Sequence, residues 1–448
     1  MYKIIPFFFI YFAAAHYCRE KKQIRHIMLI AFAFICYYQY NAANAAVFAV
    51  SVLFNLVMGK FIFAAGSEKT RKILLSAGVA FDLIQLGVFK YTSLVMPLGI
   101  SFFTFREISY LVYMHKNRPA AYSFCSGLLY ISFFPQFVSG PIVQYKDFTV
   151  SDKTGIYSRS DMAQFISSGT IRFMKGFAKK VLLADTLAKL VSSAYTALDI
   201  RLSTPIVYIA SVAYSLQLYY DFSGYSDMAI GLSDIFGFTC PENFDHPYAS
   251  SSVSEFWRRW HITLGAFFRD NVYIPMGGSR TGTARLIFNL FVVWLLTGIW
   301  HGASYTFVIW GMIHFAFIAF EKLTGIPNSS SKPVKYLWRV VTLFAVNAAW
   351  IVFRTESISR AAMYIKTMFV PTFCGAGTVF INSYGCYALP FAAAALFCLP
   401  VGGMISARLK ERPALYETLR CAAILLLFFV SLSLTGSNAN DPFLYSNF

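Results

Sequence analysis

Long apolar runs separated by short polar stretches set the pattern of this chain. They fall near 3–17, 27–40, 44–63, 73–90, 95–113, 122–137, 167–190, 204–237, 286–320, 338–353, 388–405 and 419–434. Runs of this length have the scale of membrane-embedded helices, and together they predict an all-α, polytopic membrane protein with about 10–12 embedded segments. One run departs from the rest. The 35 residues from Leu286 to Phe320 contain no Asp, Glu, Lys or Arg. That is too long for one span of ~20 residues and too short for two complete spans plus a turn. The pattern therefore predicts two short helices meeting at membrane depth, with Gly298 and Gly302 permitting the break. Non-helical backbone at that depth survives only where it faces protein or a water-filled cavity. His301, in Trp300-His301-Gly302-Ala303-Ser304, is accordingly expected at a cavity wall inside the bilayer.

Texture changes along what reads as a single membrane domain, 1–448. Residues 1–90 have little polar content and read as scaffold helices. Residues 91–355 form the expected functional core, with most polar residues and Gly/Pro breaks before 320. Residues 356–448 return to plain helices ending in a tail, and the polar linker Pro327-Asn328-Ser329-Ser330-Ser331 interrupts the apolar pattern. Broken helices around a central cavity are the expected architecture of the core.

Three polar features mark that core. Asp221-Phe222-Ser223-Gly224-Tyr225-Ser226-Asp227 follows a run, Thr204 to Tyr220, without charge. A carboxylate at the bilayer centre costs about 2.5–3.5 kcal/mol on insertion scales, so such residues usually face a bundle interior or cavity. Alternatively, Asp221 and Asp227 cap helix termini at a break near Gly224. Between Ser254 and Asp270, Phe256, Trp257, Trp260, Leu264, Phe267 and Phe268 share one helical face, with Arg258, Arg259 and Arg269 opposite. This predicts an amphipathic helix lying in the membrane interface, its arginines meeting either an anionic donor or lipid headgroups, with His261 at the boundary of the two faces. Finally, Pro275-Met276-Gly277-Gly278-Ser279-Arg280 is a turn that can offer backbone N–H groups to phosphate, although it lacks the strand, spacing and Lys of a P-loop.

Composition agrees with the pattern. The chain is 57% hydrophobic and only 13% charged, against about 25% charged in soluble domains. No soluble domain of useful size fits between the runs, so the membrane bundle must hold the chemistry. A net charge of +17 would suggest nucleic acid in a soluble protein. Here the basic residues are scattered between apolar runs, which excludes that class. Arg19, Lys21, Lys22 and Arg25 form one cluster and Lys69, Arg71 and Lys72 another, with the uncharged segment Asn41 to Asn44 between them. This is the positive-inside alternation, which puts both clusters in the cytoplasm and Met1 outside. Arg408, Lys410 and Arg412 place the last loop inside, and hence Gly436 to Phe448 outside. Residues 1–17 have the look of a signal peptide, but the basic cluster follows the apolar run and further spans come after it, so a retained helix is expected. Eight cysteines without C-x-x-C or paired Cys/His spacing suggest neither disulfides nor metal.

Several long segments, in order, resemble membrane-bound O-acyltransferases of the alginate O-acetylation type. They are PLGISFFTFREISYLVY (97–113), SFFPQFVSGPI (132–142), FMKGFAKKVLLAD (173–185), YYDFSGYSDMAIGLSDIFGFTCPENFDHPY (219–248), SSSVSEFWRRWHITLGAFFRDNVYIPMGGSR (250–280), GIWHGASYTFVIWG (298–311) and AWIVFR (349–354). The Tyr-Ile-Pro-Met-Gly-Gly stretch looks more like polysaccharide acetylators than relatives that move D-alanine to teichoic acids. The family's invariant histidine corresponds to His301, and the histidine of its Arg-Arg-Trp-His motif to His261. Where the family often carries an acidic residue and a Tyr-Arg pair, this chain has Tyr113 and His115-Lys116. The ending Phe443-Leu444-Tyr445-Ser446-Asn447-Phe448 looks like the family's terminal aromatic motif, which implies an acyl relay through Tyr445 to an extracytoplasmic esterase-like transferase.

The resemblance implies a multi-pass enzyme of the bacterial cytoplasmic membrane, surrounded by lipid. It would move acetyl from a cytoplasmic thioester, acetyl-CoA as substrate with no bound cofactor, to a cell-envelope polysaccharide. Transfer to a hydroxyl needs a general base, and burial favours the neutral imidazole that this role requires. His301 is the expected base. His261, with Asp221 or Asp227, would orient the donor or line its tunnel, joined by Arg258, Arg259 and Trp300. His314 is expected to be a core histidine. Two competing readings are D-alanyl transfer from a carrier protein and a proton-coupled transporter, whose broken helices and intramembrane Asp and His look similar.

Overall fold

A computed structural model describes residues 21–117, 122–152, 159–280, 282–373, 375–409 and 411–435. The apolar run at 3–17, and the tail with Tyr445, lie outside the described residues. Among the described residues the structure is helical, with two isolated β-bridges and no strand. Eight helices among the described residues are long and apolar enough to cross a membrane, so the chain is a multi-pass membrane protein. It divides into two compact units, Met1–Phe173 with Ala229–Pro241, and Met174–Met228 with Glu242–Phe448.

In the first unit, α1 (Lys22–Tyr40), α2 (Ala42–Ala64), α3 (Glu68–Tyr91) and α4 (Ile100–Asn117) are followed by the short α5 (Phe124–Ile131) and α6 (Tyr145–Ser151). Local chemistry sets their starts. The Asn41 side chain accepts from the amides of Ala43 and Asn44, and Ser67 Oγ accepts from Thr70, satisfying N–H groups left open at a helix start. The core is aromatic: Tyr37 stacks on Phe48 with centroids 4.3 Å apart, and Phe137 meets both edge-on. The run at 122–137 does not span. Helix α5 stops after eight residues, and the chain turns through Pro135. Buried Arg106 donates to three buried carbonyls at that turn, of Tyr130, Phe133 and Gln136 (3.4, 3.1 and 3.3 Å). The scaffold zone is less plain than its texture suggests. Asn55, Arg71 and Asp82 are all buried, Asn55 Nδ2 donating to Asp82 Oδ1 at 2.8 Å and Arg71 donating to the carbonyls of Met114 and His115.

Next in the chain, α7 (Arg159–Ala178) passes through a wide π-helical turn, Lys179–Ala184, into α8 (Asp185–Ile200), and α9 (Thr204–Ile235) follows. Helix α9 runs unbroken for 32 residues, which corrects the expected break at Gly224. That glycine instead allows close approach. A Cβ there would stand 2.8 Å from the carbonyl oxygen of Gly176, and one on Gly169 would stand 2.5 Å from that of Gly231.

The second unit continues with α10 (Val253–Arg259), α11 (Ile262–Phe268), a π turn at Arg269–Tyr273, α12 (Thr283–His301), α13 (Tyr305–Thr324) and α14 (Lys332–Arg354). After these come α15 (Ile358–Phe369), α16 (Gly375–Tyr384), α17 (Ala388–Phe397), α18 (Val401–Arg408) and α19 (Pro413–Thr435). The uncharged stretch 286–320 does form two helices, but they are not short. Helix α12 has 19 residues and α13 has 20, because each extends past the uncharged run to include Arg285 at one end and Glu321 and Lys322 at the other. The turn is Gly302-Ala303-Ser304, with Ser304 Oγ accepting from Thr306 N. Gly298 does not make the break. It lies inside α12, where a Cβ would stand 2.7 Å from the carbonyl oxygen of Phe307, and Gly311 meets Trp294 O in the same way. Two glycines thus let α12 and α13 pack backbone to backbone.

Candidate active site

His301 ends α12 and is 3% exposed. Its ring is enclosed by Trp300 (4.6 Å between centroids), Trp310 (4.9 Å, edge-on), Phe353 (5.1 Å, edge-on) and Phe307 (6.2 Å). Trp310 stacks on Trp350 at 5.7 Å, and Trp350 meets Trp260 at 5.1 Å. A continuous series of rings therefore leads from His301 to the residue beside His261. His314, on α13, is buried and accepts a hydrogen bond from Trp257 Nε1 at 3.1 Å.

The segment around His261 differs from its expected form. It is not one amphipathic helix. Helix α10 ends at Arg259, Trp260 is extended, and His261 takes a left-handed backbone conformation, φ 45° and ψ 52°, from which α11 starts. Phe256, Trp260, Leu264, Phe267 and Phe268 are buried in protein, not laid on lipid. A non-glycine residue with positive φ costs energy and persists only when its surroundings hold it. Here the holding is explicit. Asp245 N donates to Arg259 O (2.9 Å) and Ile262 N to Asn243 O (3.0 Å), on either side of the Phe244–Trp260 bridge. The imidazole stands edge-on to Phe222 of α9 at 4.6 Å, with Nδ1 3.1 Å from Asn243 Oδ1. Burial pushes this imidazole down to about 3, so it is neutral at ordinary pH.

Asp221 and Asp227 lie inside α9, not at its ends, which removes the capping alternative. Both are buried and ion-paired: Asp221 Oδ1 with Lys180 Nζ at 2.7 Å, and Asp227 Oδ2 with Lys179 Nζ at 2.7 Å. The wide turn at Lys179–Ala184 brings both lysines to α9, and Lys180 also reaches Asp185 at 2.6 Å. The three arginines do not act together. Arg258 is exposed, Arg259 is held by Glu255 and Asp245, and Arg269 is held by Asp270. The Gly277-Gly278 turn spends its amides internally, on Ile274 O and Tyr273 O, so it does not present them to phosphate.

Three groups were not singled out from sequence: Asn243, the lysine pair, and Glu321. Glu321 is buried and accepts from the amides of Val253 and Ser254 (2.7 and 2.8 Å) and from Trp338 Nε1 (2.9 Å). A signal existed for the lysines, two cations within an apolar run matching two aspartates within another. His261, His301, Trp300, Asp221, Asp227, Arg258 and Arg259 all belong to the second unit.

Residues 74–353 match the MBOAT, membrane-bound O-acyltransferase, family. The chain is 35% identical to the probable alginate O-acetylase AlgI of Pseudomonas aeruginosa, over 79% of this chain and 71% of that protein. It is 31% identical to the peptidoglycan O-acetyltransferase of Helicobacter pylori, over 76% and 73%. A teichoic acid D-alanyltransferase from Streptococcus thermophilus is 29% identical over 50% of this chain and 56% of its own length. With the matched region taking in both histidines and the aromatic series that links their surroundings, this chain belongs to the membrane-bound O-acyltransferase family and is an acyltransferase.

Proposed function

We propose that this acyltransferase moves an acetyl group from a cytoplasmic thioester, acetyl-CoA, outward for O-acetylation of a cell-envelope or extracellular polysaccharide. The observation that carries this reading is that both motif histidines survive, buried, within one compact unit, in a chain similar along most of its length to proteins named for alginate and peptidoglycan O-acetylation. The acceptor oxygen attacks the thioester carbonyl carbon while His301 takes its proton. Collapse then breaks the C–S bond, and the departing thiolate recovers that proton as free coenzyme A thiol. General-base catalysis of this kind contributes about 10²–10⁴ in rate. The aromatic enclosure of His301 keeps water from the thioester, whose hydrolysis would waste the donor.

In this reading the site sits in a bacterial cytoplasmic membrane with both chain ends outside. An extracytoplasmic esterase-like partner receives acetyl by way of Tyr445. Asp221 and Asp227 act through their lysines as fixed charges beside the donor path, while Arg258 is left open to donor phosphates. D-alanyl transfer is the nearer alternative. Its support is a match of only half the chain, against more than three quarters for the O-acetylases. Incubation of the purified protein with labelled acetyl-CoA, and separately with a carrier-bound D-alanyl thioester, separates the two. The expected result is release of free coenzyme A from the first alone, abolished in His301→Ala. Undiminished release in that variant would refute the assignment.

A further inference from the structure

We propose that Asn243 is a positioning residue that holds His261 in the tautomer with its proton on Nδ1, presenting Nε2 as a second proton acceptor in the site. The inference rests on the acyl-transfer reading and adds a role for His261 beyond orienting the donor.

The argument begins with the Asn243 amide, whose two ends look alike but have opposite hydrogen-bonding character. The backbone N–H of Thr263 can only donate, and it points at one end of this amide at 3.3 Å; the Thr263 hydroxyl is 2.8 Å from the same atom. That atom must be the oxygen. The other end faces Ser226 Oγ at 3.1 Å, where an NH₂ finds an acceptor. With the oxygen so assigned, His261 Nδ1, 3.1 Å from it, must carry the proton and donate. A neutral imidazole has one N–H, so Nε2 holds a lone pair. Nε2 is fully buried and has no hydrogen-bond partner among the described residues, in a side chain only 2% exposed.

The surroundings make this arrangement rigid. Asn243 is 1% exposed, and its backbone carbonyl accepts from Ile262 N, so main chain and side chain both grip the segment that carries the imidazole. Phe222 closes one side of the ring. His261 also has an unfavourable positive φ, a feature that clusters where surrounding structure imposes a functional geometry. A core histidine kept only for packing would need neither an amide oriented by three further contacts nor a strained backbone.

The test uses the full-length protein in lipid nanodiscs with ¹⁵N-labelled histidine. The His261 signals are assigned by their loss in His261→Gln. The expected wild-type spectrum shows Nδ1 protonated and Nε2 bare. Asn243→Ala should mix the tautomers and lower kcat at least about tenfold with little change in KM for acetyl-CoA. Asn243→Asp keeps an acceptor for Nδ1–H and adds a negative charge. It should retain the wild-type tautomer, recover much of kcat and move the acidic limb of the kcat profile to higher pH. A purely structural Asn243 would instead lower the folded fraction in both variants, with kcat per folded molecule and the pH profile unmoved. That outcome, or a wild-type His261 protonated on Nε2, overturns the proposal. The tautomer measurement needs no turnover. A wild-type protein with the expected tautomer but no acetyl transfer would overturn the acyl-transfer reading and leave the role of Asn243 in fixing the tautomer standing.

Discussion

Both units bury polar and charged side chains, but they use them differently. In the first, Arg106 and Arg71 spend their guanidinium groups on backbone carbonyls where helices stop, and Arg25 does the same at Phe236 O. These bonds fix the path of the chain at sites where it leaves helical geometry. In the second unit a group of polar side chains instead face one another: Asn243 with His261 and Ser226, Lys180 with Asp221, Lys179 with Asp227, Trp257 with His314. The difference teaches that burial of charge alone does not mark a site. What distinguishes His261 is an imidazole oriented by another side chain, with its second nitrogen left open among the described residues.

The sharpest way to break this comparison is to remove matched groups from each unit. His301→Ala and His261→Ala should each lower coenzyme A release by about 10²–10⁴ while remaining folded in detergent. Arg106→Ala should do the reverse. It leaves buried carbonyls short of a donor, at about 1–3 kcal/mol each, so thermal stability falls while turnover per folded molecule stays near wild type. If Arg106→Ala lost turnover without losing stability, the division of roles between the units would be wrong.

Next in size is Lys180→Ala, which leaves Asp221 as a buried carboxylate without that cation. Breaking a buried pair costs about 3–5 kcal/mol, and the double variant Lys180→Ala/Asp221→Asn should recover most of the loss in a denaturation or thermal-shift measurement. A smaller effect is expected from Gly224→Ala, where the added methyl meets the Gly176 backbone. Overpacking of this kind costs about 1–3 kcal/mol, whereas Gly385→Ala, which has open space, should stay within about 0.5 kcal/mol.

A last effect concerns pH. His261 is neutral when folded, its pKa pushed down to about 3, whereas an unfolded histidine titrates near 6.5. Between these values the unfolded chain binds the extra proton, so stability is retained above about pH 6.5 and lost as pH falls toward 3. Thermal scans should show wild type losing more stability than His261→Gln on going from about pH 7.5 to about pH 5. Equal losses would mean that His261 is not held neutral.

Much of this was legible in the sequence. Apolar runs located the long helices, and His301 and His261 stood out through an uncharged stretch and a matched motif. Helix ends in the membrane were less legible, because α12 and α13 recruit charged residues past the apolar run, and hydropathy cannot tell a flanking Arg from a loop. Gly224 and Gly298 were read as breaks because glycine lowers helix propensity. Their use is instead intersegment, a close approach that only packing reveals. Aromatic spacing in 254–270 fits a helix, yet one left-handed residue splits it, and a single backbone torsion leaves no periodic trace. The Asn243–His261 bond joins residues 18 positions apart through a turn, outside the reach of any helical or strand period.

Glu321 has a mechanical consequence. Through its carboxylate, α13 grips the first amides of the segment that leads to His261, while Trp310 and Phe307 of the same helix lie against His301. Helix α13 is thus a common strut for both imidazoles. Their spacing is referenced to protein and not to the surrounding lipid, so a thinner or thicker bilayer can tilt the outer spans without changing the distance between the two rings.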